Sequence, residues 1–155
     1  MRIFVDADSC PRLTRLAVLR ASARTGIQAV FVANRPIPGI SSPTTLMELC
    51  PPGEGAADDR IVELARAGDL VITRDIPLAQ RLVKASVMVM DDRGQEYTPE
   101  NIRERLSLRD FMVGLAENGL GKDRVAQYGN KELKAFADSF DRILARMLNP
   151  SVRYI

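Results

Sequence analysis

The sequence predicts a three-layer α/β/α protein with a mainly parallel sheet of about five strands. Short runs of apolar and β-branched residues alternate along the chain with segments of helical periodicity, which is the pattern of a parallel sheet covered on both faces. The chain has 155 residues, which suits one domain with a substantial core. We therefore expect residues 1–155 to form a single domain.

Three strands are predicted in the first third of the chain. Residues 2–6 form an apolar run, and residues 11–26 begin with proline and then repeat apolar side chains at helical spacing. Residues 28–34 form a β-branched run that predicts the second strand. A loop rich in Pro, Gly and Ser separates it from the third strand, at 46–50.

Two further strands alternate with helices in the middle of the chain. Residues 57–68 have acids in the first turn and end on glycine, which is typical of a capped helix. Residues 69–75 and 87–92 are predicted strands, and residues 76–85 form the short helix between them. The second of these strands ends in the turn signal Asp-Arg-Gly.

The last part of the chain is predicted to be helical. Thr98, followed by proline and glutamate, starts a helix that continues to Gly119. Residues 119–130 are polar and predict a flexible link, and residues 131–148 form an amphipathic C-terminal helix.

The sequence contains no histidine, which removes the commonest general base, the Ser-His and Cys-His nucleophile pairs and the usual nitrogen ligand of zinc. Lys and Arg number 22 against 20 Asp and Glu, so the net charge of +2 singles out no partner. The pI near 8.7 is compatible with nucleic acid. Any chemistry is therefore expected to use carboxylates.

The two cysteines, Cys10 and Cys50, lack the close spacing of a redox or zinc motif. We expect both to be free thiols in a reducing compartment, and Cys10 to be structural rather than nucleophilic. No charged start followed by an apolar run opens the sequence, and no apolar run is long enough to span a membrane. We therefore expect a cytoplasmic protein that makes no contact with membranes.

Acidic and polar side chains follow the predicted strands at the edge where the carboxyl ends meet, which is where ligands bind in open parallel sheets. These residues are Asp6, Asp8, Asn34, Asp58, Asp59, Thr73, Asp75, Asp91 and Asp92. Two ionised carboxylates about 4 Å apart repel by roughly 4 kcal/mol at an effective dielectric near 20. A converging group therefore needs a cation or raised pKa values. Oxygen ligands without histidine favour Mg²⁺ or Mn²⁺, which can activate water for attack on phosphate.

Each acid alone has a simpler explanation. Asp8, Asp58 and Asp59 could cap helices, and Asp75 and Asp91 could stabilise turns. The joint placement of several acids on one edge favours a metal site over these separate roles.

Five segments of the sequence occur in the same order in a known family. They are VDADSCP at 5–11, VAN at 32–34, AD with a following Ile at 57–61, GDLVITRDIPLA at 68–79 and NIRERLSLRDFM at 101–112. Together these motifs resemble the YaiI/YqxD family, and the resemblance extends over residues 2–148.

The resemblance implies a PIN-like fold related to metal-dependent nucleases, with Mg²⁺ or Mn²⁺ held by acids at the sheet edge. The positions that match the family's acids, and that we predict as metal ligands and catalytic residues, are Asp6, Asp8, Asp58 and Asp75. Asp59 lies where the family often carries other residues. Asp91 and Asp92 fall where related sequences need not be acidic, so both are left out of the predicted site.

We predict a Mg²⁺- or Mn²⁺-dependent nuclease that hydrolyses phosphodiester bonds, with RNA as the expected partner. Asn34 and Thr73 would orient water or substrate, and Arg103 and Arg109 would hold the strand. Two alternatives stay open. One is a non-enzymatic nucleic-acid or protein-binding module with a degenerate metal site, and the other is a phosphatase of the haloacid dehalogenase type with Asp6 as covalent nucleophile. A homo-oligomer is compatible with the sequence.

Overall fold

The structure is a computed structural model that describes residues 1–119 and 127–149. Its sheet has six strands in the order β3-β2-β1-β4-β5-β6. Their bounds are β1 Arg2–Asp6, β2 Gln28–Ala33, β3 Thr45–Leu49, β4 Leu70–Ile72, β5 Met88–Met90 and β6 Glu96–Tyr97. Strands β1 to β5 pair in parallel, and β6 pairs antiparallel with β5. The predicted α/β class and mainly parallel sheet are confirmed.

Within the described residues, five helices lie on the two faces of this sheet. Their bounds are α1 Arg12–Thr25, α2 Ala56–Leu64, α3 Ile76–Lys84, α4 Ile102–Glu117 and α5 Asn130–Leu148. Helices α1 and α5 share one core cluster with the sheet, and α2, α3 and the start of α4 share the other. The protein therefore has the predicted three layers.

Alternation along β1 explains how one strand supports both clusters. Successive side chains of a strand point to opposite faces. Ile3 and Val5 belong to the cluster that contains α1 and α5, whereas Phe4 between them belongs to the cluster that contains α2 and α3. All three side chains are fully buried. Strand β1 is thus the centre of the core, and its carboxyl end is fixed from both sides.

Helix α5 is held against the turn before β6. Gly94 has a φ of 90°, and an added Cβ atom would lie 2.4 Å from the backbone oxygen of Ala135. The Ser139 hydroxyl donates a hydrogen bond of 2.7 Å to the Gly94 carbonyl oxygen. Because only glycine combines this φ with so close an approach, Gly94 sets how tightly α5 packs on the sheet.

Several element boundaries differ from the prediction. Strand β6 was not predicted, since Glu96 and Tyr97 form too short a run to give a periodic signal. Strands β4 and β5 are three residues each, shorter than predicted. Residues 120–126 of the predicted link lie outside the described residues.

The order of the strands defines one crevice at the carboxyl edge. From β1 the chain proceeds outward through β2 to β3, and it then returns to β4 on the other side of β1. The strand order therefore reverses between β1 and β4, which is the switch point at which open α/β sheets bind ligands. In the described part of the chain, no helix is long and apolar enough to cross a membrane.

Candidate functional site

A cleft of about 340 Å³ opens at this switch point. We call it the acidic cleft, and its described lining residues are Asp6, Asp8, Ser9, Asn34, Gly55, Ala57, Asp58, Arg74 and Asp75. The four acids predicted as ligands therefore lie together. Asn34 also lines the cleft. Thr73 lies next to Asp6, to which its hydroxyl donates a hydrogen bond.

Asp6 forms the floor of the acidic cleft. It ends β1 and is buried, and its Oδ2 atom accepts a hydrogen bond of 2.8 Å from the Thr73 hydroxyl. The same hydroxyl oxygen accepts a bond of 3.0 Å from the backbone N–H of Asp75. Burial raises the pKa of Asp6, the Thr73 hydrogen bond opposes this shift, and Asp75 and Asp8 add to it. Thr73 therefore orients Asp6 and links it to the start of α3.

Asp8 joins the loops that follow β1 and β2. Its Oδ2 atom accepts a hydrogen bond of 2.8 Å from the backbone N–H of Asn34. The Nε atom of Arg35 lies 3.9 Å from Asp8 Oδ1, but the Arg35 side chain is mostly exposed. This ion pair is weak because water screens it. Asp8 thus lies at the rim of the cleft, and its side chain is bound to the backbone of the loop that follows β2.

Asp58 and Asp75 face each other from two different helices. Asp58 lies in the first turn of α2, and Asp75 is the N-cap of α3, where its Oδ1 atom accepts a 2.9 Å bond from the N–H of Leu78. Burial raises the pKa of Asp58 to about 6, and the charges of Asp75 and Asp6 and a hydrogen bond with Asp75 contribute to the shift. Asp58 therefore keeps its proton to a higher pH than an ordinary aspartate does.

A buried acid at the opposite edge of the sheet shows what a purely structural carboxylate looks like in this protein. Asp69 accepts hydrogen bonds of 2.8 Å from the backbone N–H groups of Arg2 and Arg66. It also pairs with the Arg2 guanidinium and the N-terminal ammonium. By contrast, no Lys or Arg of the described residues forms an ion pair with Asp6, Asp58 or Asp75. The acidic cleft thus holds negative charge that the described side chains leave unbalanced.

Other acids considered in the sequence have separate roles. Asp59 is exposed and pairs with Arg81 at 3.0 Å, outside the lining of the cleft. Asp91 is a buried turn residue that accepts bonds from the backbone N–H groups of Arg93 and Gln95. The structure thus places Asp58 in the lining of the cleft and Asp59 outside it, and the role of Asp58 in the predicted site stays a prediction.

The two predicted strand-binding arginines lie on α4. Arg103 and Arg109 are exposed, and Arg109 pairs with its neighbour Asp110 at 3.0 Å. Neither is among the described residues that line the acidic cleft. Their contact with a nucleic-acid strand stays a prediction.

Sequence reasoning missed Arg74, and it left Asp92 out of the predicted site. Arg74 lies between Thr73 and Asp75 and lines the cleft, and its Nε atom is 3.1 Å from the Oδ2 atom of the buried Asp92. The available signal was the order Thr-Arg-Asp at the end of a buried strand, which brings the middle residue to the same edge as the acids. Cys10 and Cys50 are free and buried, as predicted.

The donor set suits a hard divalent cation, because carboxylate oxygens are the ligands that Mg²⁺ prefers. Burial is the largest cause of the raised pKa values of Asp6 and Asp58, and the neighbouring carboxylates add repulsion that a cation would relieve. As these side chains stand, no three Asp, Glu, Cys or His residues of the described ranges are close enough to hold one ion together. Coordination would therefore require the carboxyl groups of the cleft to move closer together around the ion.

Comparisons with known proteins agree with the resemblance seen in the motifs. Residues 4–146 match the family model described as "Uncharacterized BCR, YaiI/YqxD family". A UPF0178 protein of Treponema pallidum is 51% identical over 148 residues, which cover 96% of this chain and 84% of the relative. A UPF0178 protein of Halorhodospira halophila is 45% identical over 146 residues, with 94% and 97% covered. No solved structure matched the chain.

Proposed function

Given that the chain belongs to the YaiI/YqxD family, we propose that it is a Mg²⁺- or Mn²⁺-dependent nuclease that hydrolyses phosphodiester bonds of RNA in the acidic cleft. The observation that carries the proposal is the unbalanced charge of Asp6, Asp58 and Asp75 at the switch point of the sheet. Gathering one buried and two half-buried acids without cationic partners costs stability, so a protein that keeps them together needs a reason outside its own fold.

In this proposal Asp6, Asp58 and Asp75 hold the cation, with Asp8 at the rim. A bound Mg²⁺ or Mn²⁺ supplies an activated water and offsets the charge that develops on phosphate. Thr73 keeps the Asp6 carboxylate in one orientation through its hydroxyl. The exposed side chain of Asn34, which follows β2 at the mouth of the cleft, is available to orient substrate.

In this proposal the protonation of Asp58 sets the pH range in which the site is active. Because the pKa of Asp58 is raised to about 6, its carboxylate is fully available only above that pH. Cleavage and cation affinity should therefore both rise as pH increases through about 6. Asp58 is the residue through which acid would inhibit the reaction.

The test is cleavage of labelled single-stranded and hairpin RNA by the purified protein with Mg²⁺ or Mn²⁺. We expect cleavage that EDTA abolishes, and we expect Asp6→Asn and Asp75→Asn to reduce it by at least a hundredfold, in the range seen when preorganised catalytic groups are removed, about 10² to 10³. Asp59→Asn is the matched control, since it removes a neighbouring carboxylate that lies outside the cleft.

Three outcomes would point elsewhere. RNA that remains intact but is retained, with affinity that falls steeply with salt, would favour a binding module without catalysis. Hydrolysis of small phosphate monoesters that Asp6→Asn abolishes would favour the phosphatase alternative. Cleavage equally strong in Asp6→Asn and Asp59→Asn would indicate a contaminating nuclease.

The proposal places the protein in the cytoplasm. Cys10 and Cys50 are free and buried, which supports a reducing compartment in which disulfides are rare.

A further inference from the structure

Arg74 is the one basic side chain among the described residues that line the acidic cleft. It leaves the end of β4 between Thr73 and Asp75, and its side chain is 43% exposed. Within the described residues it forms no ion pair with the acids of the cleft, although they lie close by. Its guanidinium is therefore held beside the acids without being neutralised by them.

Asp92 holds the Arg74 guanidinium beside the acids of the cleft. The side chain of Asp92 is only 4% exposed, and its Oδ2 atom lies 3.1 Å from Arg74 Nε. Nevertheless, Oδ2 accepts no hydrogen bond, so this contact is an ion pair without hydrogen-bond geometry. Buried ion pairs are weak evidence for stability, because desolvation offsets much of the attraction. Keeping Asp92 buried against a half-exposed arginine is therefore better explained by the position it gives the guanidinium.

The remaining donors of Arg74 are suited to phosphate. A guanidinium has five N–H donors in a planar fork, and the described hydrogen bonds use none of those on Arg74 for another residue. Such a fork binds phosphate oxygens in a bidentate manner, and it cannot lose its charge at neutral pH. In a cleft rich in acids, a polyanion needs one fixed cationic group in addition to the metal ions.

We propose that Arg74 binds a phosphate group of the nucleic-acid strand in the acidic cleft, and that Asp92 is a positioning residue that orients the Arg74 guanidinium. This inference rests on the proposed function, since it takes a nucleic-acid strand as the occupant of the cleft. It assigns strand binding to the end of β4, in addition to the predicted Arg103 and Arg109 of α4.

The experiment measures binding rather than cleavage. A short fluorescein-labelled single-stranded RNA is titrated with protein in Ca²⁺, with anisotropy as the readout and gels to verify that the RNA stays intact. Arg74→Ala should weaken binding about tenfold, the effect of losing one charge-assisted hydrogen bond to phosphate. The slope of log affinity against log salt should also fall by about 0.7, the value for one phosphate contact on a single strand.

Two further variants separate this role from folding. Arg74→Ala leaves Asp92 buried and unpaired, so the double variant Arg74→Gln/Asp92→Asn removes both charges together and should fold, with the same loss of affinity and salt slope. Arg74→Lys keeps the charge without the fork and should recover the salt slope but only part of the affinity. Arg24→Ala, at the far end of α1, is the control for general loss of one positive charge.

Each outcome has one meaning. Wild-type affinity in the double variant, or equal losses in Arg24→Ala and Arg74→Ala, overturns the role of Arg74. If Asp6→Asn still abolishes RNA cleavage in that case, the proposed nuclease stands without it. If the wild-type protein neither binds nor cleaves RNA, the proposed function and this inference both fail.

Discussion

Replacing Asp58 with asparagine should stabilise the protein at neutral pH while removing a residue that the proposed function needs. The carboxyl group of Asp58 is half-buried and faces the charges of Asp75 and Asp6. Its pKa is raised from 3.8 to about 6, which means that the folded protein resists ionising it. Asparagine has nearly the same shape and no charge, so Asp58→Asn removes the repulsion and leaves the packing.

The sign of the pH dependence follows from proton binding. Between pH 3.8 and about 6 the folded state binds more protons at Asp58 than the unfolded state does, so stability falls as pH rises through this window. The penalty is fully present above about pH 6 and absent below the unfolded pKa. The advantage of Asp58→Asn should therefore be largest at neutral pH and should shrink as the solution is acidified.

The expected gain in the free energy of unfolding follows from the pKa shift of Asp58. A shift of about two pKa units corresponds to about 3 kcal/mol at 1.36 kcal/mol per unit. Because Asp58 is only half-buried, water screens much of this, and we expect about 1 kcal/mol. For a chain of this length, that corresponds to a rise in Tm of about 2–4 °C.

Urea unfolding at pH 7.5 and pH 4.5, with EDTA present, measures this directly. Asp58→Asn should exceed wild type by about 1 kcal/mol at the higher pH and by much less at the lower pH. Asp59→Asn, which removes an exposed carboxylate paired with Arg81, should show no gain. An advantage that is absent at pH 7.5, or equally large at both pH values, would refute the conclusion that the folded protein disfavours the charged form of Asp58.

Adding Mg²⁺ then connects stability to the proposed site. A ligand that binds only the folded state at ten times its Kd stabilises it by about 1.4 kcal/mol. Wild type should gain stability with Mg²⁺ above pH 6, whereas Asp58→Asn should gain little. An equal gain in both proteins would place the cation away from Asp58.

Three further predictions concern the fold. Gly94→Ala should lower the free energy of unfolding by about 2 kcal/mol or more, since the new Cβ would clash with the backbone of α5 as well as take a positive φ. Gly39→Ala, which has a positive φ but open space, should cost about half as much in the same urea titration. Phe136→Ala should cost about 3–5 kcal/mol because the ring is fully buried, and a loss below 1 kcal/mol would contradict the assigned core. Burial raises the pKa of Cys10 to about 12. In a Cys50→Ser variant, Cys10 should therefore react with a disulfide reagent at pH 8 far more slowly in the folded than in the unfolded protein. Equal rates of reaction would contradict the burial of Cys10.

Much of the acidic cleft could be predicted because strand ends are local in sequence. Asp6 follows an apolar run directly, and Thr73 and Asp75 follow another, so the period of each run locates them at one edge. Asp58 was reached through the acids at the start of α2 and through the family motif. Periodicity thus identified which residues could meet.

Periodicity could not predict how these residues are paired. The contact between Asp58 and Asp75 depends on the relative position of α2 and α3, which no local pattern encodes. The same holds for Arg74 and Asp92, which come from the ends of β4 and β5 and meet only because those strands are neighbours. Strand β6 was missed for a related reason, since its pairing with β5 and not its own composition makes it a strand.

The central position of β1 has a consequence for when the cleft comes into existence. Strand β1 precedes its neighbour β4 by more than sixty residues, and the face that carries Ile3 and Val5 is covered by α1 and, much later in the chain, by α5. A chain still emerging from the ribosome would have Asp6 without Thr73 to orient it and without a complete core beneath it. A product that ends before Phe136 would therefore lack part of the core beneath Asp6 and should be less stable than the full chain.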